Sequence, residues 1–233
     1  MDISNQTALV TGSNRGLGKH LALELLARGA KVYAGARNPA SVDIPGAIPL
    51  QLDITDPKSV AEATAAAGDV TLLINNAGVS TGASLLTGDL ADIHLEFDTH
   101  FFGTLSMIRA FAPVMEKNGG GSILNILSVL SWLSLGSLGA YSSAKSAAWG
   151  LTNDLRLNLV PKNIRVAALH VGYMDTDMTA GITAPKLAPS DIAKIAVDGM
   201  EADLYEILAD ELSKQVQQGL AGGVAALYPG LSK

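Results

Sequence analysis

The chain has 233 residues, of which 48% are hydrophobic and 16% charged, with 24 glycines, no cysteine and a formal net charge of −6. That length suits one α/β domain, and the apolar content supplies a large core, which excludes a disordered chain. The absence of cysteine excludes disulfides and thiolate chemistry, and a net negative charge without clustered Lys or Arg argues against a nucleic-acid groove. Thr7 to Thr11 is a short apolar run that ends in a glycine loop, and Leu17 to Arg28 then repeats apolar residues at helical spacing. Lys31 to Ala36, Ile48 to Leu52 and Val70 to Ile74 are predicted as further strands, with the Ala-rich Ser59 to Ala67 as a helix between the last two. A long helix is predicted from about Leu95 to Met115, followed by strand Ser122 to Leu127, helix Ala140 to Val160 and strand Ile164 to His170. A helix near Pro189 to Met200, a strand at Tyr205 to Leu208 and a helix from about Asp210 to Gly219 complete the pattern. Strands alternating with helices of this length imply a doubly wound parallel sheet of Rossmann type, a three-layer α/β/α fold in one domain over residues 1–233.

The uncharged stretch from Ser122 to Ser143 is long enough to raise the question of a membrane span. Asn125 and the interspersed serines and glycines favour a buried strand plus loop instead. The first residues show no basic region followed by a long apolar run, so a cytoplasmic protein is expected, without membrane or nucleic-acid partners. His20, His94, His100 and His170 are dispersed, and no metal is expected.

The segment Gly12-Ser13-Asn14-Arg15-Gly16-Leu17-Gly18 follows a strand and opens a helix, where backbone N–H groups are free to meet phosphates. Its spacing is G-x-x-x-G-x-G, and the alternative is a purely structural turn. At the end of the second strand an acidic residue would accept hydrogen bonds from a ribose, but this chain has Ala36-Arg37. Arg37, with Arg15 from the glycine loop, suits a 2′-phosphate and makes NADP(H) the expected cofactor, the alternative being two solvated charges. Tyr141 and Lys145 stand four residues apart and share a helix face, where a cation would favour the phenolate and bring it toward acid/base range. Ser128, thirteen positions before Tyr141, is placed to polarise a substrate oxygen.

With these residues the chain resembles the short-chain dehydrogenase/reductase family, in its branch of about 250 residues, over nearly its whole length. The resemblance is carried by TGSNRGLG at Thr11 to Gly18, Asp53, NNAG at Asn75 to Gly78, Ser128, Tyr141 with Lys145, and Val171-Gly172 through Thr176. It implies that Asp53 and Ile54 flank the adenine, and that Asn76, Ala77 and Gly78 line the adenosine side. It further implies that Gly172, Met174 and Thr176 lie at the nicotinamide end, and that Lys145 bonds the nicotinamide ribose while tuning Tyr141. Two positions depart from the family pattern. His100 stands where an asparagine usually supports a proton relay, and Val171 precedes Gly172 where a proline is usual.

The expected activity is hydride transfer between a nicotinamide and a small carbonyl or alcohol, with Tyr141 as acid/base, Ser128 and Lys145 beside it and His100 as a fourth catalytic candidate. A homodimer or homotetramer is expected, because relatives of this type pair their two long helices across a two-fold axis. Two rivals remain: a redox sensor that holds NADP(H) without turnover, and a nucleotide-sugar epimerase or dehydratase, which would need a further C-terminal domain. Asp175 and Asp177 are expected to be solvated or capping residues, His170 a satisfied structural histidine, and the apolar Thr179 to Pro189 a cover for the substrate.

Overall fold

The computed structural model describes residues 1–231. Seven strands form one sheet in the order β3-β2-β1-β4-β5-β6-β7, with every neighbouring pair parallel. They are β1 Thr7–Thr11, β2 Lys31–Ala36, β3 Ile48–Gln51, β4 Leu72–Asn75, β5 Gly121–Ile126, β6 Ile164–His170 and β7 Glu206–Leu208. The chain winds outward from β1 to β3, returns to pair β4 with β1 and winds outward the other way. Where the winding reverses, the connections after β1 and β4 leave in opposite directions and open a crevice at the carboxyl ends of the strands.

The helices are α1 Gly16–Ala27, α2 Pro57–Ala66, α3 Leu90–Phe97, α4 Thr104–Lys117, α5 Gly139–Leu159, α6 Pro189–Glu201, α7 Glu211–Gly219 and α8 Gly223–Leu227. On one sheet face, Leu21 and Leu25 of α1 pack with Ile192, Val197 and Met200 of α6. On the other, Val60 of α2 and Met107, Phe111 and Met115 of α4 pack against Leu9, Leu73 and Ile123 of the sheet. Burial on both faces is why the central strands read as continuous apolar runs, and each fully buried Leu or Met contributes about 1.5–3 kcal/mol.

The predicted long helix from Leu95 to Met115 is a composite. It starts earlier, at Leu90, where the Asp89 carboxylate accepts from the N–H of Ala91 at 2.8 Å, and a π-helical segment, Asp98–Gly103, separates α3 from α4. A Cβ at position 103 would come within 2.8 Å of the Ile54 side chain, so glycine permits the close approach of this segment to the loop after β3. The wider π turn rotates Thr99, His100 and Gly103 inward together, and such segments are frequent at functional sites. Its extra residue per turn is invisible to a 3.6-residue hydrophobic period. Val70 and Tyr205 lie outside the strands predicted to contain them, and α8 is an unpredicted helix. After α8, the Tyr228 hydroxyl accepts from the N–H of Ser134 at 2.7 Å, which ties the chain end to the loop after β5. Among the described residues no helix is long and apolar enough to cross a membrane.

Candidate active site

The glycine loop between β1 and α1 is a closely packed cradle. Gly12 and Gly16 have φ of 64° and 53°, and a Cβ at Gly18 would lie 2.3 Å from the Gly12 carbonyl oxygen. The turn after β4 is bound to this loop: Thr11 Oγ1 accepts from the N–H groups of Asn76 and Ala77, both at 2.9 Å. Asn76 Nδ2 donates to the carbonyls of Thr11 and Gly12 at 2.8 and 3.1 Å, so its side chain braces the cradle.

Not every residue of the loop faces the crevice. The Ser13 N–H and hydroxyl both donate to Gly35 O, at 3.0 and 3.2 Å, and the Leu17 side chain belongs to the core. The Ile54 side chain is likewise largely buried, in the core beside α2 and α4. Arg37 is exposed just beyond β2. Burial works against ionisation of nearby Asp53, but hydrogen bonds from Thr55 and the charge of Arg37 outweigh it and hold the carboxyl below its ordinary pKa. Arg15 is exposed and paired with Asp177 at 3.2 Å, a partner that local spacing does not reveal, since 162 residues separate them.

Tyr141 and Lys145 sit on the first two turns of α5, beside the end of β5. Lys145 is buried and its Nζ donates to Ile126 O at 2.8 Å, 5.6 Å from the centre of the Tyr141 ring. Burial brings its pKa down to about 8, against the opposing pull of Glu96. Ser128, just past β5, accepts from Leu130 N–H at 3.1 Å, and its hydroxyl donates to Val171 O at 3.4 Å. The phenol pKa is raised, not lowered as the Tyr/Lys spacing suggested. Burial and the negative charge of Glu96 push it up, and the nearby Ser128 hydroxyl offsets them only in part.

His100 is buried, with its ring edge-on to that of Tyr141 at a centroid distance of 5.2 Å. Its Nε2 lies 2.7 Å from Val79 O and 3.3 Å from Glu96 Oε2. Burial and the charge of Lys145 lower its pKa despite Glu96 and Val79, so the imidazole is neutral at neutral pH. Behind Ser128, the buried His170 stacks on Trp132 at 3.7 Å, with Nδ1 3.2 Å from Ser128 O and Nε2 2.7 Å from Glu206.

The loop after β6 closes the crevice. The Gly172 N–H donates to Asp210 Oδ2 at 2.6 Å, so this backbone donor, expected to face the nicotinamide end, is engaged by a residue of α7's N-terminus. Met174 makes an isolated bridge with Leu187, and Thr176 Cγ2 lies 3.5 Å from where a Cβ of Gly16 would be. Asp175 pairs with Lys186 at 3.7 Å. Glu96 and Asp210 were not singled out from sequence; the available signals were the i, i+4 spacing of Glu96 and His100 and the Asp-x-x-Ser cap at Asp210 to Ser213.

Residues 6–187 match the family model described as short chain dehydrogenase. The chain is 37% identical to a short chain dehydrogenase from Burkholderia cenocepacia J2315 whose crystal structure is a complex with NADP, with a TM-score of 0.95 and 100% of both chains covered. It is 30% identical to the 7alpha-hydroxysteroid dehydrogenase of Escherichia coli K12, over 97% of this chain and 96% of that protein. It is 33% identical to the 3-ketodihydrosphingosine reductase of Bacteroides thetaiotaomicron over 75% of this chain, which spans 66% of that relative's length.

Proposed function

The chain belongs to the short chain dehydrogenase family, and we propose that it is an NADPH-preferring oxidoreductase that reduces a ketone or aldehyde, or runs the reverse oxidation. The observation that carries this reading is the convergence of Ser128, Tyr141 and Lys145 beside the end of β5. The site fits a dinucleotide: Gly12 and Gly16 turn the loop at positive φ, Gly18 packs tightly on the Gly12 carbonyl, and the amino end of α1 has no side-chain cap, so its backbone N–H groups suit phosphates. Asn14, Arg15 and Gly16 would hold the phosphates with the help of Ser13, Leu17 and Gly18 as loop supports. Arg37, exposed just beyond β2, would take the 2′-phosphate, and the NADP complex of the Burkholderia relative supports NADP(H) as the cofactor. Asp53, Ile54 and Asn76 to Gly78 would line the adenosine side, with Gly172, Met174 and Thr176 at the nicotinamide end.

When bound, the cofactor supplies the hydride. Ser128 would orient and polarise the carbonyl oxygen, and the Tyr141 hydroxyl would deliver the proton. A phenol whose pKa is raised enters the reaction protonated, which suits an acid in the reductive direction. The ammonium of Lys145 would donate to the nicotinamide ribose and favour proton release from Tyr141. Apolar side chains of the 179–189 segment favour a hydrophobic or modest-sized substrate. A panel of such carbonyl compounds with NADPH, read at the nicotinamide absorbance, tests the activity, and tight NADPH binding without turnover would favour a redox sensor.

Cofactor choice has its own test. Replacing Arg37 with Asp removes a phosphate partner and adds a like charge, so kcat/KM with NADPH should fall relative to NADH by at least about tenfold, the low end for a charge-assisted hydrogen bond. An unchanged ratio would refute the role of Arg37.

We also propose a cytoplasmic homodimer or homotetramer. The exposed Phe102, Leu157 and Val160 would be covered in a symmetric assembly of this type. Light scattering should therefore give a multiple of the 24.0 kDa chain mass, and a monomer at micromolar concentration would contradict the assembly.

A further inference from the structure

We propose that Glu96 is a positioning residue for the reaction: anchored on Thr81 and set against His100, it holds the wall beside Tyr141 and keeps a buried negative charge next to the Tyr141–Lys145 pair. The inference rests on the oxidoreductase reading of the site.

Helix α3 inverts the usual order of burial. Leu90 and Leu95 are exposed, whereas Glu96 is the one buried residue of the helix, at 0% exposure. An ionised carboxylate is among the costliest groups to enclose, and an apolar side chain would fill the same volume without that cost. The arrangement around it is specific. Oε1 accepts from the N–H and the hydroxyl of Thr81, at 2.6 and 3.1 Å. Oε2 has no hydrogen-bond partner of good geometry and faces His100 Nε2 at 3.3 Å.

That histidine nitrogen lies 2.7 Å from Val79 O, an acceptor, so it carries the proton and donates chiefly there. Glu96 therefore keeps an oxygen whose charge is only weakly satisfied. Through His100 and Thr81, the carboxylate and imidazole together also fix the 79–81 segment that follows the turn after β4. The ionisable groups that feel Glu96 are His100 of the π-helical segment, which it faces at 3.3 Å, and, behind that ring, Tyr141 and Lys145 of α5, while the 79–81 segment carries no ionisable side chain.

The sign of the effect follows from charge. A carboxylate disfavours the phenolate of Tyr141 and favours the ammonium of Lys145, so it raises both pKa values. Neutralising it lowers both. In reduction Tyr141 must be protonated, and the high-pH limb of kcat/KM reports the group that must keep its proton.

The test compares pH profiles of NADPH-dependent carbonyl reduction for the wild type, Glu96→Gln, Glu96→Met and Glu96→Asp, with thermal melting to establish folding. Either neutral variant should move the high-pH limb down by roughly one pH unit, while Glu96→Asp leaves it at the wild-type position. An unmoved limb in a folded neutral variant overturns the proposal, as does an equal shift in Glu96→Asp. Failure of both neutral variants to fold while Glu96→Asp folds would assign Glu96 to stability alone and overturn it too. A wild type without carbonyl reduction would instead sink the functional reading itself, so the two failures are distinguishable.

Discussion

Tyr141→Phe should lower kcat for carbonyl reduction at least about a hundredfold, the low end for losing a general acid. The substitution removes one hydroxyl and keeps the ring that packs edge-on to His100 at 5.2 Å, so the wall of the crevice is retained. Cofactor affinity should change far less than kcat, because the cradle is made by the glycine loop and the turn after β4. His100→Asn provides the contrast. The imidazole is buried and neutral and its hydrogen bond goes to Val79 O, so its loss should change the rate by less than about tenfold, or about 1.4 kcal/mol in the barrier. Steady-state kinetics on both variants decide the assignment. Equal and severe losses would make His100 a catalytic partner, and indifference to Tyr141→Phe would overturn the mechanism.

Phe111→Ala should destabilise the fold by about 3–5 kcal/mol, a large part of the roughly 5–15 kcal/mol that holds a typical protein together. Phe111 is fully buried at the centre of α4, packed with Met107 and Met115 against Leu9, Leu73 and Ile123. Shortening it leaves a cavity between the helix and the sheet that close-packed neighbours fill only in part. Denaturant unfolding followed by tryptophan fluorescence, at one fixed protein concentration, would measure the change. A loss below about 1 kcal/mol would mean that the core collapses around the missing ring, contrary to this account.

The parts of the molecule that depend on local order were readable in advance. β1, β2 and β6 have the bounds that their apolar runs predict, because strands buried on both faces must be continuously apolar. The glycine loop was readable because glycine adopts φ near +60° without steric cost and only glycine allows the 2.3 Å approach at Gly18. The Tyr141–Lys145 pair was readable because four residues make about one helical turn. Tertiary structure alone decided the rest. It turned Ser13 inward onto Gly35, gave the Gly172 N–H to Asp210 and paired Arg15 with Asp177. It also inserted the π-helical segment that brings Glu96 and His100 beside Tyr141, reversing the expected direction of the phenol's pKa. The physical reason is the range of the interactions. Spacing along the chain encodes which face a residue shares with its near neighbours, but desolvation and charge at Tyr141 come from groups that the winding of the sheet brings in from far along the chain, and no local period records them.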